Sequence, residues 1–379
     1  MIPKKKFLVL SPYNPRDIRR WSGTTFFLYS ALGKKCSNLD FVSSEPINFI
    51  ARAINRLLRG IGIRVDIRFS KPFSWIVGKL VDSHLRKKDP DVIVAVTASN
   101  LIPFLNTSKP IIYISDATFA AVERLYPEFA NLPIWLRRQG SELERRSLRR
   151  ASYFMCSSDW TKQSAVADYG MDENRIKVIS FGPNIATELI DKFYRPKSSD
   201  FSCIKLLFVS ADWERKNGEL VLQIAEVLKS RGLACEVILV GQVPDKVPKQ
   251  KEIRVVGFLD KTTSVGITEL CRLYQEAHFF LLPTTADATP IVFSEAQAFG
   301  CPSLTYDVGG TSSAVLDGVS GIVLPLSAKA EDFALKIESL VKHPTRYIEM
   351  SLNARRRYEE VANWDRWAST ILRLSDQTP

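Results

Sequence analysis

The residues best placed to do chemistry cluster in the second half of this 379-residue chain. Arg215 and Lys216 stand side by side in Ser210-Ala211-Asp212-Trp213-Glu214-Arg215-Lys216-Asn217-Gly218, between an apolar run at 206–209 and an amphipathic run at 220–230. Two cations in a strand-to-helix loop can neutralise a diphosphate and steady its departure as a leaving group. Alone the pair decides little, because surface Arg-Lys pairs are common and solvated. Further on, Asp287 and Glu295 close the two ends of Asp287-Ala288-Thr289-Pro290-Ile291-Val292-Phe293-Ser294-Glu295, which follows the apolar run 279–282. A loop entering a helix there aims backbone N–H groups at a phosphate, and Glu295, inside the first turns, can hydrogen-bond ribose hydroxyls. On the plain structural alternative Asp287 caps a turn and Glu295 lies on a solvated helix face.

The first half offers two candidates. A long loop at 11–22 leads through Trp21-Ser22-Gly23-Thr24 into the apolar segment 26–32. Gly23 at a helix entrance lets a ligand approach the backbone and sets the helix N-terminus against an anion; its other reading is a structural turn glycine. Asp116 directly follows the run Ile111-Ile112-Tyr113-Ile114-Ser115. A carboxylate there can orient or deprotonate an acceptor hydroxyl within hydrogen-bond reach, or it can serve as a helix N-cap.

What must position these residues is an alternation of strands and helices. Apolar runs bounded by turn signals at 7–10, 92–96, 111–114, 153–156 and 177–180, with helical segments between them, read as a parallel sheet covered on both faces. After the polar stretch 193–200 the pattern restarts, with runs at 206–209, 236–240, 254–256, 279–282, 303–306 and 321–324. The expected fold class is α/β, with two doubly wound Rossmann-like domains: residues 1–187, a linker at 188–200, residues 201–360, and a helix at 361–379 returning to the first domain. Ligands of such sheets bind beyond the carboxyl ends of the strands, so the expected site is a central cleft that the two domains face.

The stretch from about 203 to 325 resembles the donor-binding domain of the family-four retaining glycosyltransferases, whose architecture is termed GT-B. Asp287 and Glu295 align with that family's E-x7-E motif, residues 295–302 with its Glu-Ala-x-Ala-x-Gly-x-Pro run, Gly309-Gly310 with its Gly-Gly loop, and 317–321 with its Asp-Gly-x-x-Gly. Residues 151–162, Tyr169-Gly170 and Phe181-Gly182-Pro183-Asn184 are similar to the ending of the family's N-terminal domain. The resemblance implies a nucleotide-sugar donor, with Arg215 and Lys216 on its diphosphate and Glu295 on its ribose. It puts the backbone of Thr289, Pro290, Ile291 and Val292 at the distal phosphate and sugar, Phe258 and Leu259 near the base, and Gly23 toward the phosphates. Two departures stand out: Asp287 replaces a glutamate that faces the donor sugar, and Ala211 replaces an arginine often found five residues before the lysine. Asp116 stands near the point where many relatives carry a histidine.

The reaction so implied moves a hexose from a UDP- or GDP-sugar to a hydroxyl of a carbohydrate, lipid-linked or small-molecule acceptor, with retention, in the building of polysaccharide or glycolipid. Asp116 and Asp287 are its catalytic candidates. Neither a metal nor another cofactor is expected, because cations and backbone N–H groups do a metal's work on the diphosphate. The rival readings are a catalytically idle GT-B nucleotide-binding scaffold subunit and another GT-B enzyme such as a nucleotide-sugar epimerase.

Charge adds a second theme. Residues 1–200 carry 32 Lys+Arg against 19 Asp+Glu and residues 201–379 carry 20 against 22, so all of the net +11 lies in the first half. Such a surface suits phosphates, anionic headgroups or nucleic acid, or simply aids solubility. No nucleic-acid motif occurs, and no nucleic-acid partner is expected. Arg52, Arg56 and Arg59 share a helical face beside Ile50, Ile54 and Leu57, and six arginines fall within 137–150, so peripheral contact with an anionic membrane is expected of the basic half. The apolar run after Met1-Ile2-Pro3-Lys4-Lys5-Lys6 is too short for a signal or a membrane span, and the six scattered cysteines form no C-x-x-C pair. A reducing, cytoplasmic location is the expectation, at the inner face of the membrane where the protein docks.

Overall fold

The computed structural model describes residues 5–378, so the basic start at residues 1–4 lies outside the described residues. The chain forms two compact units: unit 1 runs to Ile179 and resumes at Trp364, and unit 2 is Ser180–Asn363. In unit 1 the strands are β1 (Phe7–Ser11), β2 (Leu39–Ser43), β3 (Val92–Val96), β4 (Ile111–Ser115), β5 (Tyr153–Cys156) and β6 (Ile176–Val178). They pair in parallel in the order β2-β1-β3-β4-β5-β6. The helices are α1 (Thr24–Lys35), α2 (Glu45–Gly60), α3 (Lys71–Lys88), α4 (Phe119–Leu125), α5 (Pro127–Ala130), α6 (Ile134–Arg150) and α7 (Asp159–Ala167).

Every residue of β1, β3 and β4 is buried, which is the fate of a strand covered by helices on both faces and explains their unbroken apolar runs. The edge strand β2 escaped the sequence reading because Leu-Asp-Phe-Val-Ser buries only Val42 and exposes Asp40. The strand read at 177–180 begins one residue earlier and ends at Val178.

Unit 2 repeats the plan with β7 (Ile204–Ser210), β8 (Cys235–Gly241), β9 (Ile253–Gly257), β10 (Phe279–Leu282), β11 (Ser303–Tyr306) and β12 (Gly321–Leu324), in the order β12-β11-β10-β7-β8-β9. Its helices are α8 (Thr187–Phe193), α9 (Gly218–Ser230), α10 (Ser264–Glu276), α11 (Ile291–Ala298), α12 (Thr311–Ala314), α13 (Ala330–Lys342) and α14 (Pro344–Glu360). Residues 188–200 overlap α8 and lie in unit 2. The segment is tied down by Lys197, whose Nζ donates to the carbonyls of Tyr274, Gln275 and Ala277 at 2.6, 2.7 and 2.8 Å, at the C-terminal end of α10. The last helix, α15 (Trp364–Asp376), packs on α1 of unit 1, with Trp367 fully buried and Lys35 Nζ 2.8 Å from Asp365 Oδ1.

Each sheet reverses its strand order once, between β1 and β3 in unit 1 and between β7 and β10 in unit 2. At such a switch point two neighbouring loops leave the sheet in opposite directions and open a crevice at the carboxyl ends. Beside that of unit 2, Gly241 ends β8 at φ +110°, and a Cβ there would stand 1.8 Å from the Ser210 carbonyl oxygen, so only glycine lets β7 and β8 end together.

Candidate functional site

The loops after β7 and β10 meet at the switch point of unit 2. Within the first, Ser210 Oγ accepts from the Asp212 N–H at 2.9 Å, and Asp212 in turn accepts from the Arg215 N–H at 3.1 Å and from Arg215 Nε at 2.9 Å. Burial pushes the Asp212 carboxyl up, but the backbone and side-chain hydrogen bonds of Arg215 together outweigh it and hold the group below its ordinary range. The two loops are then stitched to each other: Arg215 donates through a terminal guanidinium nitrogen to the Ala286 carbonyl at 2.7 Å, and the Arg215 carbonyl accepts from the Thr285 N–H at 2.9 Å. Gly218 permits the turn into α9, since a Cβ there would lie 2.4 Å from the Trp213 ring.

Lys216 contacts the Asp287 carboxylate directly, and a guanidinium nitrogen of Arg215 lies 3.7 Å from the same oxygen. Burial first, and the Arg215 charge second, press the Lys216 ammonium toward its neutral form, and the Asp212 charge opposes them; the Asp287 carboxylate, in contact with Lys216, is a further counter-charge. Asp287 is buried. Its carbonyl accepts from the Gly310 N–H at 3.2 Å, which brings the Gly309-Gly310 loop to the same place. Helix α11 starts at Ile291 after Pro290, and no side chain caps its N-terminus, so its first turn presents backbone N–H groups beside the two cations.

Glu295 is fully buried, which removes the reading of a solvated helix face. Lys261 Nζ donates to Oε1 at 2.5 Å and the Tyr274 hydroxyl to Oε2 at 3.0 Å. The Lys261 loop is a compact turn in which Asp260 Oδ1 accepts from the Thr262 N–H at 2.8 Å and the Asp260 carbonyl accepts from the Thr263 N–H at 3.1 Å. Phe258 opens that loop and is 74% exposed, and Leu259 beside it is partly buried. Sequence reasoning missed Lys261 and Tyr274; the signal available for Lys261 was its place after the carboxyl end of β9.

Unit 1 has its own cavity of about 260 Å³ around its switch point, lined by residues that include Asn48, Arg52, Thr97, Tyr113, Asp116 and Glu144. Asp116 is not a helix cap: Thr118 caps α4 by accepting from the Ala121 N–H. Burial raises the Asp116 carboxyl to about 6, against hydrogen bonds from its own N–H and that of Ala117. Beneath it Glu144 accepts from the Tyr113 hydroxyl at 3.0 Å and the Phe119 N–H at 3.2 Å, and burial raises this carboxyl to about 7. Asn48 Oδ1 and Thr97 Oγ1 are buried without a partner among the described residues, and Thr97 holds φ +47°, a costly value for a β-branched residue. Gly23 is the N-cap of α1 at φ +92°, after two further left-handed residues, Trp21 and Ser22, and Thr25 Oγ1 in the first turn is again buried and unpartnered.

Arg215, Lys216, Asp287, Ile291 and Glu295 are therefore gathered in one region of unit 2 on two adjacent loops and the helix that follows them, whereas Asp116 and Gly23 belong to unit 1. The larger open recesses of unit 2, about 610 and 1000 Å³, line α9 and its neighbouring loops and hold none of these residues. Among the described residues no group of three or more His, Cys, Asp or Glu side chains gathers as metal ligands would.

Comparison with known proteins bears on both units. The family described as Glycosyl transferases group 1 matches residues 195–357, and Glycosyltransferase Family 4 matches residues 28–186. A D-inositol 3-phosphate glycosyltransferase of Rhodococcus erythropolis is 27% identical over 227 residues, which cover 54% of this chain and 49% of that protein. The chain thus spans about half the length of that curated relative. Among solved structures, Anabaena HepE in complex with UDP and glucose aligns over 99% of this chain and 100% of its own at a TM-score of 0.63 and 16% identity. Sucrose-phosphate synthase of Thermosynechococcus elongatus aligns over 98% and 99% at 0.67 and 14%. At such identities the two structures speak for the fold.

Proposed function

The chain belongs to the group 1 glycosyltransferases of GT-B architecture, and from that premise we propose that it moves a hexose from a UDP- or GDP-sugar to an acceptor hydroxyl with retention of configuration. The observation that carries the reading is the convergence, at the switch point of unit 2, of Arg215, Lys216 and the uncapped start of α11, with Glu295 one turn further in. A nucleoside diphosphate leaving group takes on negative charge as the bond from its terminal oxygen to the sugar C1 breaks. Two cations and a helix N-terminus fixed beforehand stabilise that charge without reorganising. The acceptor oxygen forms the new bond to C1, and its proton passes to the departing phosphate oxygen. On this reading no metal or other cofactor is needed. Glu295 holds the ribose, Thr289, Pro290, Ile291 and Val292 border the distal phosphate and sugar, Phe258 and Leu259 meet the base, and Gly23 admits the phosphates.

Asp287 stands beside the sugar and keeps Lys216 charged. Asp116, raised to about 6, orients the acceptor hydroxyl in the cavity of unit 1. Arg52 lines that cavity and makes no ion pair among the described residues, which suits an acceptor bearing a phosphate, the kind of compound in the name of the curated relatives. The reading places the enzyme in the building of a polysaccharide or glycolipid at the cytoplasmic face of a membrane. Incubation with UDP- and GDP-hexoses and phosphorylated polyols, with the anomeric configuration of the product read by NMR, tests it. An inverted product contradicts retention, and nucleotide binding with no turnover of any donor favours the idle scaffold.

A further inference from the structure

We propose that the outer faces of α2 and α3 in unit 1 form an interfacial docking surface for an anionic lipid bilayer. On α2 the exposed apolar side chains follow one helical line, Ile50, Ile54, Leu57 and then Ile61 just beyond its end, with Phe49 beside them. Their exposure is that of tips left in water: Phe49 69%, Leu57 74%, Ile61 73%. Helix α3 adds the adjacent Trp75 and Ile76, and Leu80 one turn further on, each about half exposed. The inward sides of both helices are occupied by other residues, Ala51 and Asn55 on α2 and Val77, Val81 and Leu85 on α3, so the outer line stands apart from the core of unit 1.

Charge identifies the occupant. Arg56, Arg59, Arg64 and Lys79 are exposed among these apolar residues and make no ion pair among the described residues. From residue 46 to 81 the one acidic side chain is Asp66, and Arg68 holds it. An apolar stripe flanked by unpaired cations, on helices too polar to span a bilayer, fits the boundary where acyl chains meet anionic headgroups. The second basic segment behaves differently. In α6 Arg137 pairs with Glu123 at 2.7 Å, Arg146 with Glu142 at 2.9 Å, Arg145 lies over the Tyr169 ring and Arg150 donates to the Thr107 carbonyl at 3.4 Å, so four of its six arginines serve unit 1 itself, and its exposed apolar residues are confined to Ile134 and Trp135 in the first turn. Docking is therefore a property of α2 and α3. It draws on none of the donor-site residues, so its test is decided separately from the glycosyltransfer reading.

Flotation of the full chain with phosphatidylcholine vesicles, with and without phosphatidylglycerol, reads the surface directly. The expected result is binding that needs the anionic lipid and weakens in about 1 M salt, where the screening length falls to about 3 Å. Arg56→Gln with Arg59→Gln removes two cations and lowers the partition coefficient about 25-fold, at about fivefold per charge. Leu57→Asp with Trp75→Asp abolishes binding at unchanged circular dichroism and melting temperature, while Arg149→Gln on α6 leaves it intact. The proposal is overturned if the wild-type chain does not float with anionic vesicles, or if Leu57→Asp with Trp75→Asp floats as well as wild type. It is equally overturned if sedimentation velocity shows a dimer that this double variant turns into monomer, for then a second copy covers the face.

Discussion

Replacing Lys261 by methionine isolates the feature of the donor site that sequence did not reveal. Glu295 is fully buried and, among the described residues, its carboxylate holds two partners, Lys261 at 2.5 Å and the Tyr274 hydroxyl at 3.0 Å. Lys261→Met leaves the carboxylate with Tyr274 alone, and an uncompensated buried charge costs about 3–5 kcal/mol. Because the Lys261 side chain is 29% exposed, water reaches part of the gap and the lower end, about 3 kcal/mol, is expected. For a unit of this size that lowers the melting temperature by roughly 6–12 °C. Adding Glu295→Gln to Lys261→Met should recover most of the loss, since an amide can stay buried beside Tyr274 without a counter-charge. Differential scanning calorimetry measures all three proteins. A Lys261→Met variant as stable as wild type, or a double variant no more stable than Lys261→Met, refutes the reasoning.

Other outcomes follow from the same geometry. Asp116→Asn should lower kcat/KM by about 10- to 100-fold and remove the acid limb near pH 6 from its pH profile, because the wild-type carboxyl is raised to about 6 and orients the acceptor hydroxyl through a charge-assisted hydrogen bond only when ionised. Asp287→Asn takes the counter-charge from Lys216, whose ammonium is already depressed by burial; donor affinity in this variant should fall as pH rises, and at lower pH than in wild type, in calorimetric titrations at several pH values. Gly241→Ala forces a Cβ to 1.8 Å from the Ser210 carbonyl at φ +110° and should destabilise unit 2 by about 1–3 kcal/mol, read from urea unfolding.

The strands announced themselves because both sheets are parallel and covered on both faces, so their central strands are continuous apolar runs; the half-exposed β2 carried no such signal. Arg215, Lys216, Asp287 and Glu295 were legible for a related reason, since residues at the carboxyl ends of strands can be found once the strands are known. Partners were not legible. That Lys261 and Tyr274 enclose Glu295, and that Lys216 meets Asp287, depends on loops brought together across 21 to 71 positions of sequence. The choice of Thr118 over Asp116 as the cap of α4 depends on a shift of two residues in where the helix begins. The basic segments looked alike in sequence, and only the structure separates α6, most of whose arginines have partners within unit 1 and whose exposed apolar residues are confined to its first turn, from α2 and α3, whose outer faces carry exposed apolar lines.

The central claim is that the switch point of unit 2 receives a nucleoside diphosphate through Arg215 and Lys216. Isothermal titration of the full chain with UDP, GDP and ADP, repeated on Arg215→Gln with Lys216→Met, tests it most directly. Charge-assisted hydrogen bonds are worth about 1.5–3 kcal/mol each, so the double variant should bind the preferred diphosphate at least about 100-fold more weakly while remaining folded. Failure of all three nucleotides to bind the wild-type chain, or equal affinity in the double variant, contradicts the account.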